Sequence, residues 1–342
     1  FKDVNDTLGH GAGDELLREA GRRLQHLADG RAEVARIGGD EFALILSDVG
    51  NEVDAVRFAE QVVTAMRASY AFDGRSLSTR ASIGLALFPD HHQDQAELMK
   101  DADMALYQAK AEGRSRVSLY HPAIRERMEA RILVGQEVRG ALEKGEFLPF
   151  YQPKICFRTG AIVGFEALAR WAHPQKGLLT PAYFGVAFED AEIAVAIGRA
   201  MQERIARDMA AWQEAGIACG RVAINFASAE FADPGLAEAV LARFAAHGQS
   251  AARLEIEVTE TVLLGSGIEN VARILQAFAA AGVTIALDDF GTGYASLTHL
   301  KQFPVDHIKI DRSFVRDLVT DADDAAIVAA VISLGRSLGM VV

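Results

Sequence analysis

Polar and apolar positions follow two different periods along this chain, and the change from one to the other divides it. In residues 8–27, Leu16, Leu17, Leu24 and Leu27 recur at helical spacing behind the start signal Gly13-Asp14. Residues 33–37 and 41–46 read as two short strands joined across Gly38-Gly39, which is a hairpin signal. A second helix is expected over 53–69, a strand over 77–88 and a third helix over 96–112, ending in the basic segment Lys110, Arg114, Arg116. Residues 121–142 are charged and mostly helical in pattern, and read equally as a connecting helix or as a helix of the second domain. From Gly145 onward the pattern becomes strand, helix, strand, helix. Strands are expected over 147–154, 162–171, 221–227, 253–259, 283–288, 306–311 and 340–342, with helices over 193–215, 234–247, 268–281 and 325–338. So many αβ units in series favour a (β/α) barrel over an open sheet.

Side-chain parity within these strands singles out a set of polar groups. Glu166, Leu168 and Arg170 share one face, opposite Phe165, Ala167 and Ala169. Asn225 opposes Val222 and Ile224, Glu257 opposes the face of Leu254, Ile256 and Val258, and Lys309 opposes Ile308 and Ile310. Each strand thus turns apolar residues to one layer and a polar residue to the other. Polar groups in a barrel mouth are costly to desolvate unless paired or liganded. The stretch VTIALDDFGTGY climbs through Val283, Ile285 and Leu287 to the adjacent carboxylates Asp288 and Asp289, then breaks into a glycine-rich loop. Two neighbouring aspartates on a buried strand repel each other unless a cation lies between them. Glu166, Asn225, Glu257, Asp288 and Asp289 offer oxygen ligands from four strand ends, the chemistry preferred by Mg²⁺. A bridging carboxylate, and with it a two-metal centre for in-line displacement at phosphorus, fits this arrangement. Arg170 suits a phosphate oxygen. Glu260 is placed to hold the glycine loop, or forms an exposed salt bridge.

In the first half, the turn at Gly38-Gly39 bares the backbone next to Asp40 and Glu41, allowing a bulky ligand to approach while the carboxylates hold a divalent ion. Taken alone, a charged hairpin tip is the simpler reading. The cations at the end of the third helix equally complement its dipole or clamp phosphates.

At 342 residues the chain is long enough for two domains, and its composition is that of a globular protein. A net charge of −12 argues against long-range attraction of DNA or RNA. An anionic ligand then needs metal ions and locally placed Arg or Lys. The two cysteines, Cys156 and Cys219, form no framework and suit a reducing cytoplasm. No run of 18 apolar residues is present, so no membrane contact is expected in this segment. Both ends read as cut, the first domain lacking its first strand at the start and the last strand breaking off at Met340-Val341-Val342, so that a membrane anchor or sensor upstream is compatible with the sequence.

Two ordered sets of motifs carry family resemblances. FKDVND, GHGAGDELL, RIGGDEF and ALYQAKAEGRSR stand as in GGDEF domains, which are diguanylate cyclases, over residues 1–120. That resemblance implies a nucleotidyl-cyclase-like mixed or antiparallel sheet with flanking helices. It implies that Asn5 and Asp14 read a guanine edge, that Lys2, Lys110 and Arg114 hold GTP phosphates, that Asp40 is a Mg²⁺ ligand and that Glu41 supports the reactive centre. The family's inhibitory RxxD is replaced by Asp29-Gly30-Arg31-Ala32, so weak or no product inhibition is expected there.

YQPKI, GFEALARW, INFAS, LEIEVTET, ALDDFGTGYASL and HIKIDRSFV resemble EAL domains, which are cyclic-di-GMP phosphodiesterases, over residues 143–342. The resemblance implies a TIM-like barrel whose first strand runs antiparallel. It implies Glu166, Asn225, Glu257, Asp288 and Asp289 as ligands of two Mg²⁺ or Mn²⁺ ions, Lys309 as catalytic, Arg170 and Gln152 as substrate contacts, and Glu260 as support for the DDFGTGY loop. A further catalytic glutamate of the family falls just beyond Val342. The expected activity is hydrolysis of cyclic-di-GMP to linear pGpG, with GTP bound by the first domain and a homodimer as the assembly. The alternatives are a diguanylate cyclase, alone or in a bifunctional protein, and a non-catalytic receptor for the nucleotide.

Overall fold

A computed structural model describes residues 4–5, 8–47, 49–73, 75–77, 79–264, 267–291 and 302–342. The chain divides into two compact units, 1–130 and 131–342.

In the first unit, helix α1 (His10–Ala28) buries Leu16, Leu17, Leu24 and Ala28 and ends at Asp29, whose left-handed backbone closes the last turn onto Gln25. Strands β1 (Ala32–Gly38) and β2 (Glu41–Leu46) form the expected hairpin, with Gly39 and Asp40 at its turn. Helix α2 (Glu52–Arg67) starts where the Asn51 side chain accepts from the Asp54 N–H. Its Phe58, Val62 and Met66 pack with Leu24, and with Val34, Phe42 and Leu44 of the hairpin.

The strand expected over 77–88 is two separate pieces. Strand β3 (Tyr70–Phe72) pairs back with β4 (Arg75–Leu77), while β5 (Ile83–Leu85) pairs in parallel with β6 (Val117–Leu119). Between them the Ser115 N–H donates to the Ser82 hydroxyl, so this stretch is tied to the approach to β6. Among the described residues the strands of this unit pair only two by two, yet Ile83 and Val34 reach the same apolar core. Helix α3 (Gln95–Ala111) lies so close to β5 that a Cβ on Gly84 would stand 2.0 Å from the Ala102 carbonyl oxygen, which only glycine avoids.

Helix α4 (Pro122–Glu143) contains the division between the units. In the first unit its Arg125 is paired with Glu97 at 3.0 Å and with the fully buried Asp101 at 2.8 Å. In the second, its Val138 and Ala141 join the core.

The second unit has the strand and helix order of a (β/α) barrel. Strand β7 (Phe147–Ile155) runs antiparallel to β8 (Ile162–His173), and β9 (Gly177–Leu179) hairpins onto the end of β8. From β8 the ladder continues in parallel through β10 (Arg221–Asn225), β11 (Leu254–Thr259), β12 (Thr284–Phe290) and β13 (His307–Ile310). Among the described residues it is open between β7 and β13. Val341 adds a parallel bridge to His307. Helices α5 (Ala191–Glu214), α6 (Leu236–Ala246), α7 (Ile268–Ala280) and α8 (Ala322–Ser337) alternate with the strands.

The parity of the strands explains this packing. Val222, Ile224, Leu254, Ile256, Val258, Ile285, Leu287 and Ile308 are buried in one core with Ile205 and Met209 of α5, Phe244 of α6 and Phe278 of α7. Each such side chain contributes about 1.5–3 kcal/mol by leaving water. The opposite parity is left to line the lumen.

Candidate active site

Four of the lumen residues meet at one point. One carboxylate oxygen from each of Glu166, Glu257 and Asp288 lies within 4.8 Å of the others. The Lys309 ammonium donates to all three, at 3.2 Å to Glu166 Oε2, 2.7 Å to Glu257 Oε2 and 3.0 Å to Asp288 Oδ2. Asn225, the last residue of β10, donates its amide to the other oxygen of Glu166 at 2.9 Å. Register accounts for the convergence. Asn225 stands level with Glu257 across the β10–β11 ladder, and β12 brings Asp288 two residues beyond, level with Thr259.

The electrostatics follow from burial and from the lysine. Burial lifts the Glu257 carboxyl to about 7, against the pull of Lys309. At Glu166 burial also opposes ionisation, but the Lys309 charge and the Asn225 amide outweigh it and hold the carboxyl below its ordinary value. Burial disfavours the charged lysine, yet the charges of Glu257 and Glu166 raise its pKa, so Lys309 is a fixed cation at neutral pH. Three hard oxygen donors in a partly desolvated lumen, with no sulfur or imidazole among them, fit Mg²⁺ or Mn²⁺.

Asp289 takes a separate path. Its backbone is left-handed, with φ 53°, and its N–H donates to Asp288 Oδ1 at 3.0 Å. The carboxyl is raised by burial and by the charge of Asp288, and hydrogen-bonds to Asp311. It is not among the three clustered carboxylates. Gln152 stands directly across from Glu166 on the antiparallel pair, on the same face. Arg170, four residues beyond Glu166, donates to the Ala169 carbonyl at 2.8 Å. Glu260, 5% exposed, accepts the Gly291 N–H at 2.8 Å, at the start of the glycine loop. The rest of that loop, from 292, lies outside the described residues, as does Lys2.

Sequence reasoning passed over the layer beneath. Lys154 of β7 donates to Glu255 at 2.6 Å and to Glu257 at 2.7 Å, and His307 faces the other oxygen of Glu255 at 3.1 Å. Burial would raise the Glu255 carboxyl, but the bonds from His307 and Lys154 bring it down to about 2. Parity carried the signal: Glu255 and His307 lie two residues before Glu257 and Lys309, so each shares a face with a residue already singled out.

In the first unit, Asp40 and Glu41 are exposed at the tip of the β1–β2 hairpin, Asp14 is exposed on α1, and Lys110 is exposed in the last turn of α3. Asn5 Oδ1 is buried without a hydrogen-bond partner. Arg114, with a left-handed φ of 60°, lines a cavity of about 770 Å³ together with Arg67, Arg80 and Arg116. Of the residues expected to contact GTP or its metal, Arg114 alone among those described is in that lining.

Fold and lumen together define a (β/α) barrel with an antiparallel first strand and a carboxylate centre bridged by a lysine. The EAL domain family matches residues 135–342, and the diguanylate cyclase GGDEF domain family matches residues 1–116. The chain belongs to the EAL domain family, with a GGDEF domain preceding the EAL domain.

It is 37% identical over 340 residues to the bifunctional diguanylate cyclase/cyclic di-GMP phosphodiesterase MucR of Pseudomonas aeruginosa, covering 99% of this chain and 49% of that protein. It is 32% identical over 340 residues to the cyclic di-GMP phosphodiesterase PdeR of Escherichia coli, covering 99% and 51% respectively. The chain thus spans about half the length of these curated relatives. Among solved structures, the PaMucR phosphodiesterase in complex with c-di-GMP is 39% identical, with a TM-score of 0.57, over 61% of this chain and 84% of that one.

Proposed function

We propose that the barrel hydrolyses cyclic-di-GMP to linear pGpG, with water as nucleophile. The observation that carries this reading is the convergence of Glu166, Glu257 and Asp288 on the Lys309 ammonium. Glu166, Asn225, Glu257, Asp288 and Asp289 would hold Mg²⁺ or Mn²⁺, which supplies an activated water and charge stabilisation at the phosphoryl oxygens. The chain's own residues do the rest. Lys309, whose ammonium reaches all three carboxylates, would donate to oxygen and stabilise negative charge as it develops. Arg170 and Gln152, on the same face as Glu166, would bind and orient the substrate. Glu260 fixes the loop through Gly291 and so the position of the adjoining Asp288 and Asp289.

A second reading applies to the first unit, where four arginines line one cavity and Asn5 has an unpartnered buried acceptor. These features favour binding of an anion such as GTP; its conversion to cyclic-di-GMP would need Asp40 and Glu41, which are not in that lining.

The test is to incubate the protein separately with cyclic-di-GMP and with GTP, each with Mg²⁺ or Mn²⁺, and to identify the products by chromatography. Linear pGpG that disappears with chelator and in Glu257→Gln supports the phosphodiesterase. Cyclic-di-GMP formed from GTP, without pGpG, makes the cyclase the principal activity. Binding of cyclic-di-GMP with neither product leaves a receptor.

A further inference from the structure

The carboxylate centre does not rest on an apolar floor. Lys154 enters the lumen from β7 and reaches across to β11, two strands beyond its neighbour β8, where it bonds Glu255 Oε1 at 2.6 Å and Glu257 Oε1 at 2.7 Å. Glu257 is 1% exposed, and its two oxygens are divided between two ammonium groups. Oε1 belongs to Lys154 and Oε2 to Lys309, 2.7 Å away. A carboxylate held at one oxygen still swings about its Cγ–Cδ bond, whereas one held at both has its plane fixed. Glu255, itself 4% exposed, anchors Lys154 from below while His307 takes its other oxygen. That anchor matters because a lysine side chain carries about 2 kcal/mol of rotamer entropy, and an unanchored one is a poor fixture.

We propose that Lys154 is a positioning residue for the metal centre, turning Glu257 so that Oε2 faces Glu166 and Asp288. This rests on the reading of the barrel as a metal site. It has a rival with the opposite sign. If Lys154 only neutralised buried charge, removing a cation from beside the carboxylates would tighten divalent binding. If it positions Glu257, removal weakens binding although one repulsive charge has gone. Groups that orient metal ligands from behind typically account for a 10–100-fold difference in affinity.

The experiment titrates the purified protein with Mn²⁺ alone and follows free ion and bound-ion line shape by electron paramagnetic resonance. Wild type is compared with Lys154→Met, Lys154→Gln and Lys154→Arg, each checked for folding by circular dichroism. Lys154→Met is expected to bind about 10–100-fold more weakly, with a broadened bound spectrum, and to stay weak at pH 8.5. Lys154→Gln keeps a donor for Glu257 without the charge and is expected to recover most of that loss. Lys154→Arg keeps the charge but moves the donors, and is expected to bind more weakly than wild type. Should the Met variant fail to fold, the Gln and Arg variants carry the same contrast. Equal or tighter binding in Lys154→Met, or unchanged binding in Lys154→Arg when Met is unfolded, overturns the positioning role and leaves the metal reading standing. No Mn²⁺ binding by folded wild type overturns the metal reading, and the positioning role with it.

Discussion

Lys309 Nζ and Glu257 Oε2 stand 2.7 Å apart across the lumen face of β12, which lies between their two strands. The same ammonium satisfies Glu166 and Asp288, so a single side chain joins three acids. Replacing it, as in Lys309→Met, should lower hydrolysis of cyclic-di-GMP about 10²–10³-fold, the usual loss when a donor to developing charge is removed. Mn²⁺ affinity should hold or rise, because a competing cation has left. Turnover at saturating metal, measured beside metal affinity, checks both halves; undiminished turnover would remove Lys309 from the chemistry.

The loop after β12 begins under constraint. Gly291 has φ 105°, and a Cβ there would come within 2.9 Å of the Phe314 ring. Gly291→Ala should therefore cost about 1–3 kcal/mol of stability and displace the N–H from Glu260. Thermal denaturation reads the first effect and the kinetics of cyclic-di-GMP hydrolysis the second. A variant as stable and as active as wild type would show that this loop start adapts freely.

Removing Glu260 tests the same contact from the other side. Glu260→Ala strands the Gly291 N–H, and a buried polar group left unpaired costs about 1–3 kcal/mol. Glu260→Gln retains an acceptor oxygen and should recover most of that stability. Denaturant unfolding of the two variants decides it: equal losses would mean that charge, not the hydrogen bond, is what Glu260 supplies.

A stability change with pH is expected away from the site, at Glu230. This residue is 3% exposed, and it accepts from Ala227 N and from the Gln202 amide, both at 2.9 Å. Burial pushes its carboxyl from the ordinary 4.5 up to about 7. The folded state therefore binds this proton more tightly than the unfolded state does. Its contribution to stability falls as pH rises from about 4.5 to about 7, then levels off, by at most about 3 kcal/mol. Glu230→Gln should flatten that part of the profile. Unfolding free energies at pH 5 and pH 8 for both proteins give the difference, and parallel profiles would refute it.

In the first unit, Arg114→Ala should weaken GTP binding about 10–150-fold, by the loss of one charge-assisted contact of about 1.5–3 kcal/mol. Titration with a fluorescent GTP analogue measures this. Unchanged affinity would separate the arginine-lined cavity from nucleotide binding.

The barrel was legible because its strands obey period two so strictly. Leu254, Ile256 and Val258 are buried outward while Glu257 points into the lumen, and the sequence shows that division without help. What was not legible depends on contacts between strands distant in sequence. Lys154 meets Glu255 and Glu257 across separations of 101 and 103 residues, which no local pattern encodes. Nor does any local pattern signal the left-handed backbone at Asp289 or the hydrogen bond of its carboxyl to Asp311. In the first unit the expected strand over 77–88 fails because Ser82 and Ile83 bond to the segment before β6 while β4 folds back on β3.

The layered lumen also sets an arithmetic of electroneutrality. Among the described residues, Glu166, Glu255, Glu257 and Asp288, when all ionised, pair with the ammonium groups of Lys154 and Lys309, with His307 at the edge. The barrel interior is then less like oil than like a small ionic lattice short of two positive charges. A guest carrying +2 restores balance; one carrying +1 leaves an excess, and +3 overshoots. On the reading of the barrel as a metal site, any redesign that swaps one lumen charge would shift that balance and with it the charge of the guest that restores it.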